Sequence, residues 1–592
     1  MDKTKSLKTA QFRRCFTGLR RLVVFWPLAG LVFVAHFFYL AQFGLYEDDY
    51  FYTIPIFGWD WSTWWQQFQN AILHPVQGRP LFLAANHTVM FLSLELGGLE
   101  LAYIIGCGIA SVNAWLVFKF VERTISVPAA IAAALFFVVY PIDTSRQILM
   151  HLVALHGGMF LLLCALHLYM RRRIALSFVI AAASLLNYES FYLPFLAAPL
   201  LVARLEKPTG WRLVKHGLLF FGVAITLLLA RRFMGESRAT ELLGGLGDVV
   251  TKMLSAGPVG MWVSLKAAVL RPVDALLHAG PLASCLGLAV AAASAVWLAR
   301  VSRGVSLPTI PAPWGPLAWV AAGGLLAWFI SYLLAFRADY YPPIVSIGRL
   351  TGVHTTGTLG AAICVAVLAE VLWLQQSHRL RIGVAILFSL LIGFSTTFGL
   401  QIQRSEYASH WIRQVAFYQQ VITLTADLRE GEIVVFDAEG DASVLPITQG
   451  FPRFGIVNYT QLAFAKYVSW PATWAAAPQI AVMWEGLPIQ PVEGGLALIT
   501  PPWRYQPPAN PTDLPKDVPV ARDGRFIYLT AQDGMLRRVS GPVNIRGHVL
   551  NARAPLGEKA PTLVASSLFK QLSSGFDPEP WFTLREARNY PR

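Results

Sequence analysis

Apolar stretches recur throughout the first 401 residues, each long enough, or nearly so, to cross about 30 Å of hydrocarbon. They fall near 22–45, 98–120, 126–140, 148–170, 174–187, 188–204, 216–231, 277–299, 314–336, 354–374 and 383–401. A bilayer is the solvent that suits such a chain, because a helix satisfies its own backbone polar groups there. Several runs are short, so the count spans 9–12 and eleven fits best. Composition agrees: 55% of residues are hydrophobic and 14% charged, against about 45–50% and about 25% in soluble domains. A disordered chain and a simple soluble enzyme are both excluded.

The net charge of +14 would ordinarily raise a nucleic-acid partner. Its distribution points elsewhere. With a cytoplasmic N-terminus, the inside segments are 1–21, 119–123, 171–173, 204–215, 300–303 and 379–381, which hold 20 Lys or Arg against three acidic residues. The rest of the first 401 residues is net acidic. That alternation is the positive-inside pattern. From about Gln403 the sequence turns rich in Pro and Gly, with strand-like runs at Glu432–Phe436, Ile480–Met483 and Phe526–Leu529 behind a lead-in helix of about 404–428. This region carries 18 basic and 17 acidic residues, so it offers no nucleic-acid footprint. The expected organisation is a cytoplasmic tail (1–21), an α-helical polytopic membrane domain (22–401) with a first external loop at 46–97, and an extracytoplasmic α/β domain (402–592). The five cysteines lie in or beside apolar runs and read as small buried hydrophobes.

The first external loop is the most informative stretch. Tyr46-Glu47-Asp48-Asp49-Tyr50 places three carboxylates at a membrane exit, where they are costly unless solvated, paired or used. They suit a general base on a hydroxyl, or a hard ligand set for a divalent cation such as Mg or Mn, with Asp48 and Asp49 as its holders. A plain acidic cap is the bland alternative. A Trp-rich run at 59–65 follows and reads as an interfacial helix. Next come His74 and Arg79, either of which could face an anionic head group or simply cap the surface.

Polar residues interrupt the apolar pattern at three more external positions. Glu189 sits in the Asn187–Ser190 turn of a short hairpin. Asp143 and Arg146 are spaced to pair with each other beyond the third run, ahead of His151 and His156. Arg349 and His354 close a cluster that starts at Phe336, and Arg supplies the bidentate fork a phosphate needs. No P-loop, GxGxxG, GxSxG, HExxH or EF-hand pattern is present.

An acidic pair just after the first helix, a long first external loop and an external C-terminal domain together resemble the GT-C superfamily of integral membrane glycosyltransferases. The resemblance covers residues 20–400 as architecture, and Asp48-Asp49 (or Glu47-Asp48) as motif. It implies a polyprenyl-phosphate-linked sugar donor, inversion at the anomeric carbon, and transfer to a glycan, lipid or protein acceptor at the outer face. On this reading Asp48 or Asp49 is the base, and Glu47 or the other Asp orients the acceptor or holds a metal. Glu189, Asp143, Arg146 and His74 bind substrate, while Arg349, helped by Arg79 or His354, meets the lipid phosphate. The expected location is a bacterial inner (plasma) membrane, among membrane lipids and without nucleic acid. A lipid-linked oligosaccharide flippase, a polysaccharide polymerase or ligase, and a non-catalytic scaffold are the rival classes.

Overall fold

The computed structural model describes residues 24–75, 78–233, 246–304, 314–335, 343, 347–375, 378–438, 460–461, 463–483, 487, 489–498, 518–532, 535–556 and 562–573. The expected cytoplasmic tail (1–21) and the start of the 336–354 cluster lie outside the described residues. The chain divides into two compact units, one of residues 1–40 and 60–403, the other of 41–59 and 404–592.

The first unit is helical. Its elements are α1 (Val24–Gln42), α3 (Trp61–Leu73), α4 (Pro80–Leu96), α5 (Gly98–Thr124), α6 (Val127–Val139), α7 (Leu149–Met170), α8 (Ile174–Asn187), α9 (Ala198–Leu201) and α10 (Gly210–Phe233). After these come α11 (Leu246–His278), α12 (Pro281–Gly304), α13 (Trp314–Ile330), α14 (Gly357–Gln375) and α15 (His378–Ile402). Short α2 (Asp49–Tyr52) belongs to the second unit. Among the described residues, seven helices are long and apolar enough to cross a membrane.

Local sequence sets the helix starts. Asp60 caps α3 by accepting from the Thr63 N–H at 2.7 Å. Ser126 caps α6, whose second residue is Pro128. Small residues set the closest approaches: Gly393 of α15 lies against the Gly287 carbonyl of α12, where a Cβ would collide.

Two expectations fail here. The 188–204 run is not a helix but two 3-10 turns, Glu189–Phe191 and Leu193–Ala197, followed by the single turn of α9. Pro194 and Pro199 remove backbone donors from a segment otherwise apolar enough to span. Conversely, no apolar run was placed between 231 and 277, and that stretch holds most of the 33-residue α11. Its charges and two prolines, Pro258 and Pro272, had diluted the apolar signal.

The contacts of α11 say how it lies. Gly257 and Gly260 receive the rings of Phe329 and Tyr332. Arg271 donates to the carbonyls of Pro141 at 2.6 Å and Ile142 at 3.0 Å, and its guanidinium stands 5.2 Å from the Phe398 ring centre. Those partners mark the C-terminal ends of α13, α6 and α15. So α11 packs against the C-terminal parts of α6, α13 and α15.

The second unit carries α16 (Ser409–Leu424), the lead-in helix expected near 404–428. Three parallel strands, in the order β3 (Gln479–Met483), β1 (Ile433–Asp437) and β7 (Phe526–Gln532), coincide with the three strand-like runs. Val435 of β1 pairs with Ala481 on one side and Tyr528 on the other. β8 (Met535–Val539) adds an antiparallel edge to β7. A small antiparallel sheet of β4 (Ile489–Val492), β5 (Gly495–Leu498) and β6 (Val520–Arg522) and the hairpin β9 (Gly541–Ile545)–β10 (His548–Ala552) complete the core, which buries Val435, Ala481, Leu496, Phe526 and Ile545.

Candidate functional site

The candidate residues fall into two groups, each within its own unit. In the second unit Glu47, Asp48 and Asp49 are buried at 2%, 6% and 0% exposure. They form the turn that opens α2: the Asp49, Tyr50 and Phe51 N–H groups donate to the carbonyls of Tyr46, Glu47 and Asp48. Asp49 Oδ2 also accepts from the Tyr46 N–H at 3.2 Å. Glu47 is left-handed, with φ +45°, a conformation that costs a non-glycine residue about 1 kcal/mol.

Aromatic residues clamp this turn to α16 and the segment ahead of it. Tyr46 Oη donates to the Tyr407 carbonyl at 3.0 Å, and their rings meet edge to face at 4.9 Å. Tyr50 Oη donates to Gln414. Gly44 lies against the Trp411 indole so closely that any Cβ would collide. The acidic turn therefore packs as part of the C-terminal unit, although it follows the first helix in sequence. Sequence reasoning marked the three carboxylates and missed Tyr46, Tyr50, Trp411 and Gln414. Their pairing across more than 350 positions leaves no local signal.

In the first unit, Glu189 is bracketed by two guanidiniums. Arg79 reaches it with Nη2 at 2.8 Å and Nε at 3.0 and 3.1 Å, while stacking 4.1 Å over the Tyr188 ring. Arg231, near the end of α10, pairs with the other side of the carboxylate. Burial pushes Glu189 up, but Arg79 and Arg231 outweigh it and hold the carboxyl down at about 2. Arg231 was missed in the sequence reading. The available signal was an arginine pair, Arg231-Arg232, at the end of a run whose basic residues were expected at the other end.

The remaining unit-one candidates divide. Asp143 Oδ1 accepts from the Ser145 N–H and hydroxyl at 3.0 and 2.8 Å, and Oδ2 accepts from Thr355 Oγ1 at 2.8 Å, with Arg146 Nε 3.6 Å away. Burial raises this carboxyl, and Arg146 and the Ser145 donors lower it to about 2. Arg146 also donates to the Val138 carbonyl at 2.7 Å. Both side chains are bonded to protein and buried, so they brace the α6–α7 loop against residues 351–355. The cavity beside Asp143, lined by His36, Tyr140, Gln147 and Ser395, measures about 20 Å³. That is room for about one water, not a sugar.

His354 is buried, its Nδ1 3.1 Å from Tyr332 Oη, at the end of a 3-10 turn that half-buried Arg349 begins. Ser190 meets Thr356 at 3.0 Å, which joins the Glu189 turn to this segment. The His151 ring lies against Gly352. His74 stands exposed as the C-cap of α3. Among the described residues no group of three or more His, Cys, Asp or Glu side chains is placed to hold a metal ion. The acidic turn therefore does not fit a protein-only cation cage. Compared with known protein families and with curated proteins, the chain matches none.

Proposed function

We propose that the chain is a multi-pass membrane glycosyltransferase of the GT-C kind, moving a sugar from a polyprenyl-phosphate donor to a glycan, lipid or protein acceptor at the outer face of a bacterial inner membrane. The observation that carries this reading is the acidic turn itself. Three carboxylates directly after the first apolar helix are buried and held in place by a strained backbone and an aromatic clamp. Burying carboxylates is expensive, and structures keep such an arrangement where it is used.

Asp48 or Asp49 takes the proton of the acceptor hydroxyl, whose oxygen attacks the anomeric carbon as the bond from that carbon to the phosphate oxygen breaks. The electron pair leaves on the polyprenyl phosphate, which arginine receives: Arg349, with Arg79 or His354, and now Arg231. Two guanidiniums converging on one oxyanion, as at Glu189, is the arrangement that receives a phosphate.

The test is transfer by purified protein from a panel of polyprenyl-phosphate sugars. Asp48→Asn or Asp49→Asn should abolish turnover while leaving expression and donor-lipid binding intact. Full activity in both variants would remove the general-base assignment. A protein that moves lipid-linked oligosaccharide across vesicles without transferring it would instead be a flippase.

A further inference from the structure

At the opposite helix ends, the 171–173 turn and the 204–215 segment come together. Glu206 joins them, accepting an ion pair from Arg172 at 3.3 Å and another from Arg212 at 2.9 Å. The same segments carry Arg171, Arg173, Lys207 and Lys215, all exposed. The two segments thus hold seven cations against one carboxylate of their own, and Arg204 pairs outside them with Glu370 at 3.3 Å. Arg172 is 75% exposed and left-handed, with φ +61°, at a post-helix position where glycine is the unstrained choice. The fold accepts that strain to stand a cation outward.

The apolar surroundings complete the chemistry. Trp211, 73% exposed, lies within the basic segment, and indoles favour the boundary between head groups and hydrocarbon. Beyond it run the exposed faces of α10 (Val214, Leu218, Phe221) and α8 (Leu176, Val179). Cations, then an indole, then aliphatic side chains follow the order of phosphate, glycerol and acyl chain in a phospholipid.

We infer that the 171–173 and 204–215 segments form a binding site for anionic phospholipid, the phosphates meeting the arginines and lysines and the acyl chains lying along α8 and α10. Basic residues near a membrane surface attract anionic head groups, so the patch selects charged over zwitterionic lipid. The inference needs α8 and α10 to face lipid and is independent of sugar transfer.

Thermal unfolding of the full chain in lipid nanodiscs tests it. The wild type should melt several degrees higher in discs containing phosphatidylglycerol or cardiolipin than in phosphatidylcholine alone, and 0.5 M NaCl should shrink the difference. The triple variant Arg171→Gln/Arg172→Gln/Lys207→Gln should lose most of the shift, whereas Arg522→Gln on β6 should keep it. An equal melting point in both lipids, or an undiminished shift in the triple variant, overturns the site. Equal protection by soluble heparin in detergent overturns the assignment to lipid.

Discussion

Among the carboxylates that stand between pairs of arginines, Asp427 and Glu189 are built differently. Asp427, in the C-terminal unit, pairs with Arg538 and with Arg553, and Arg553 also holds Glu432 at 2.9 Å. The arginines of that network are tied to main chain as well: Arg538 donates to the Leu424 carbonyl and Arg553 to the Asp427 carbonyl. Asp427 in turn accepts from the Leu556 N–H at 2.9 Å. Glu189 is bracketed instead by Arg79, ahead of α4, and Arg231 of α10, with the Tyr188 ring under Arg79. A carboxylate locked to backbone fixes a fold. One held between guanidiniums of separate segments is the arrangement the proposed phosphate site would use.

The largest expected effect tests the first half of that contrast. Asp427→Asn leaves Arg538 and Arg553 partly buried without their shared partner, which should cost about 3 kcal/mol in denaturant unfolding of the full chain. Transfer per folded molecule should be unchanged. Arg231→Gln should show the reverse weighting, lowering kcat/KM for the donor about 100-fold, as loss of one transition-state donor does. If Arg553→Gln lowers kcat/KM as much, the contrast collapses.

Anion rescue is the sharper discriminator. Glu189→Gln leaves two guanidiniums facing each other, so inorganic phosphate at ten times its Kd should return about 1.4 kcal/mol of stability. The same phosphate should do nothing for Asp427→Asn, where Glu432 still occupies Arg553.

The smallest effect is in acid. Burial raises both carboxyls, but their arginine partners depress them further, so the stability they confer is complete above the unfolded value near 4.5 and fades as pH falls toward the folded value of about 2 for Glu189. Between pH 7 and 5 unfolding should be flat with respect to both groups. Below pH 4.5 the wild type should lose stability more steeply than Glu189→Gln, and parallel curves would remove Glu189 from the balance.

Much of this was legible in the sequence where one residue's fate depends on its neighbours. The apolar runs at 98–120, 126–140 and 148–170 became α5, α6 and α7 within a few residues, and all three strand-like runs joined one sheet. The acidic turn and Glu189 stood out because charge beside hydrocarbon is rare. What stayed hidden depends on distant partners. Arg231 looked like the end of a run until Glu189 closed on it across 42 positions. Asp143 and Arg146 offered either a mutual pair or a ligand site, and only Thr355, from 212 positions away, resolved them as a brace. The 188–204 run misled because hydropathy counts proline's neighbours without charging for the hydrogen bonds proline removes.

The placement of α11 also sets a clock. Its seats for Phe329 and Tyr332, and its contact with Phe398, are filled by segments the ribosome has not yet made when α11 itself emerges. Phe398 follows Arg271 by roughly 130 residues, so at about 5–20 residues per second the helix waits some 6 to 25 seconds for its last partner. During that interval Arg271 can already hold the Pro141 and Ile142 carbonyls, since both precede it. The helix is thus pinned first at the end of α6, and α13 and α15 are delivered to it in turn.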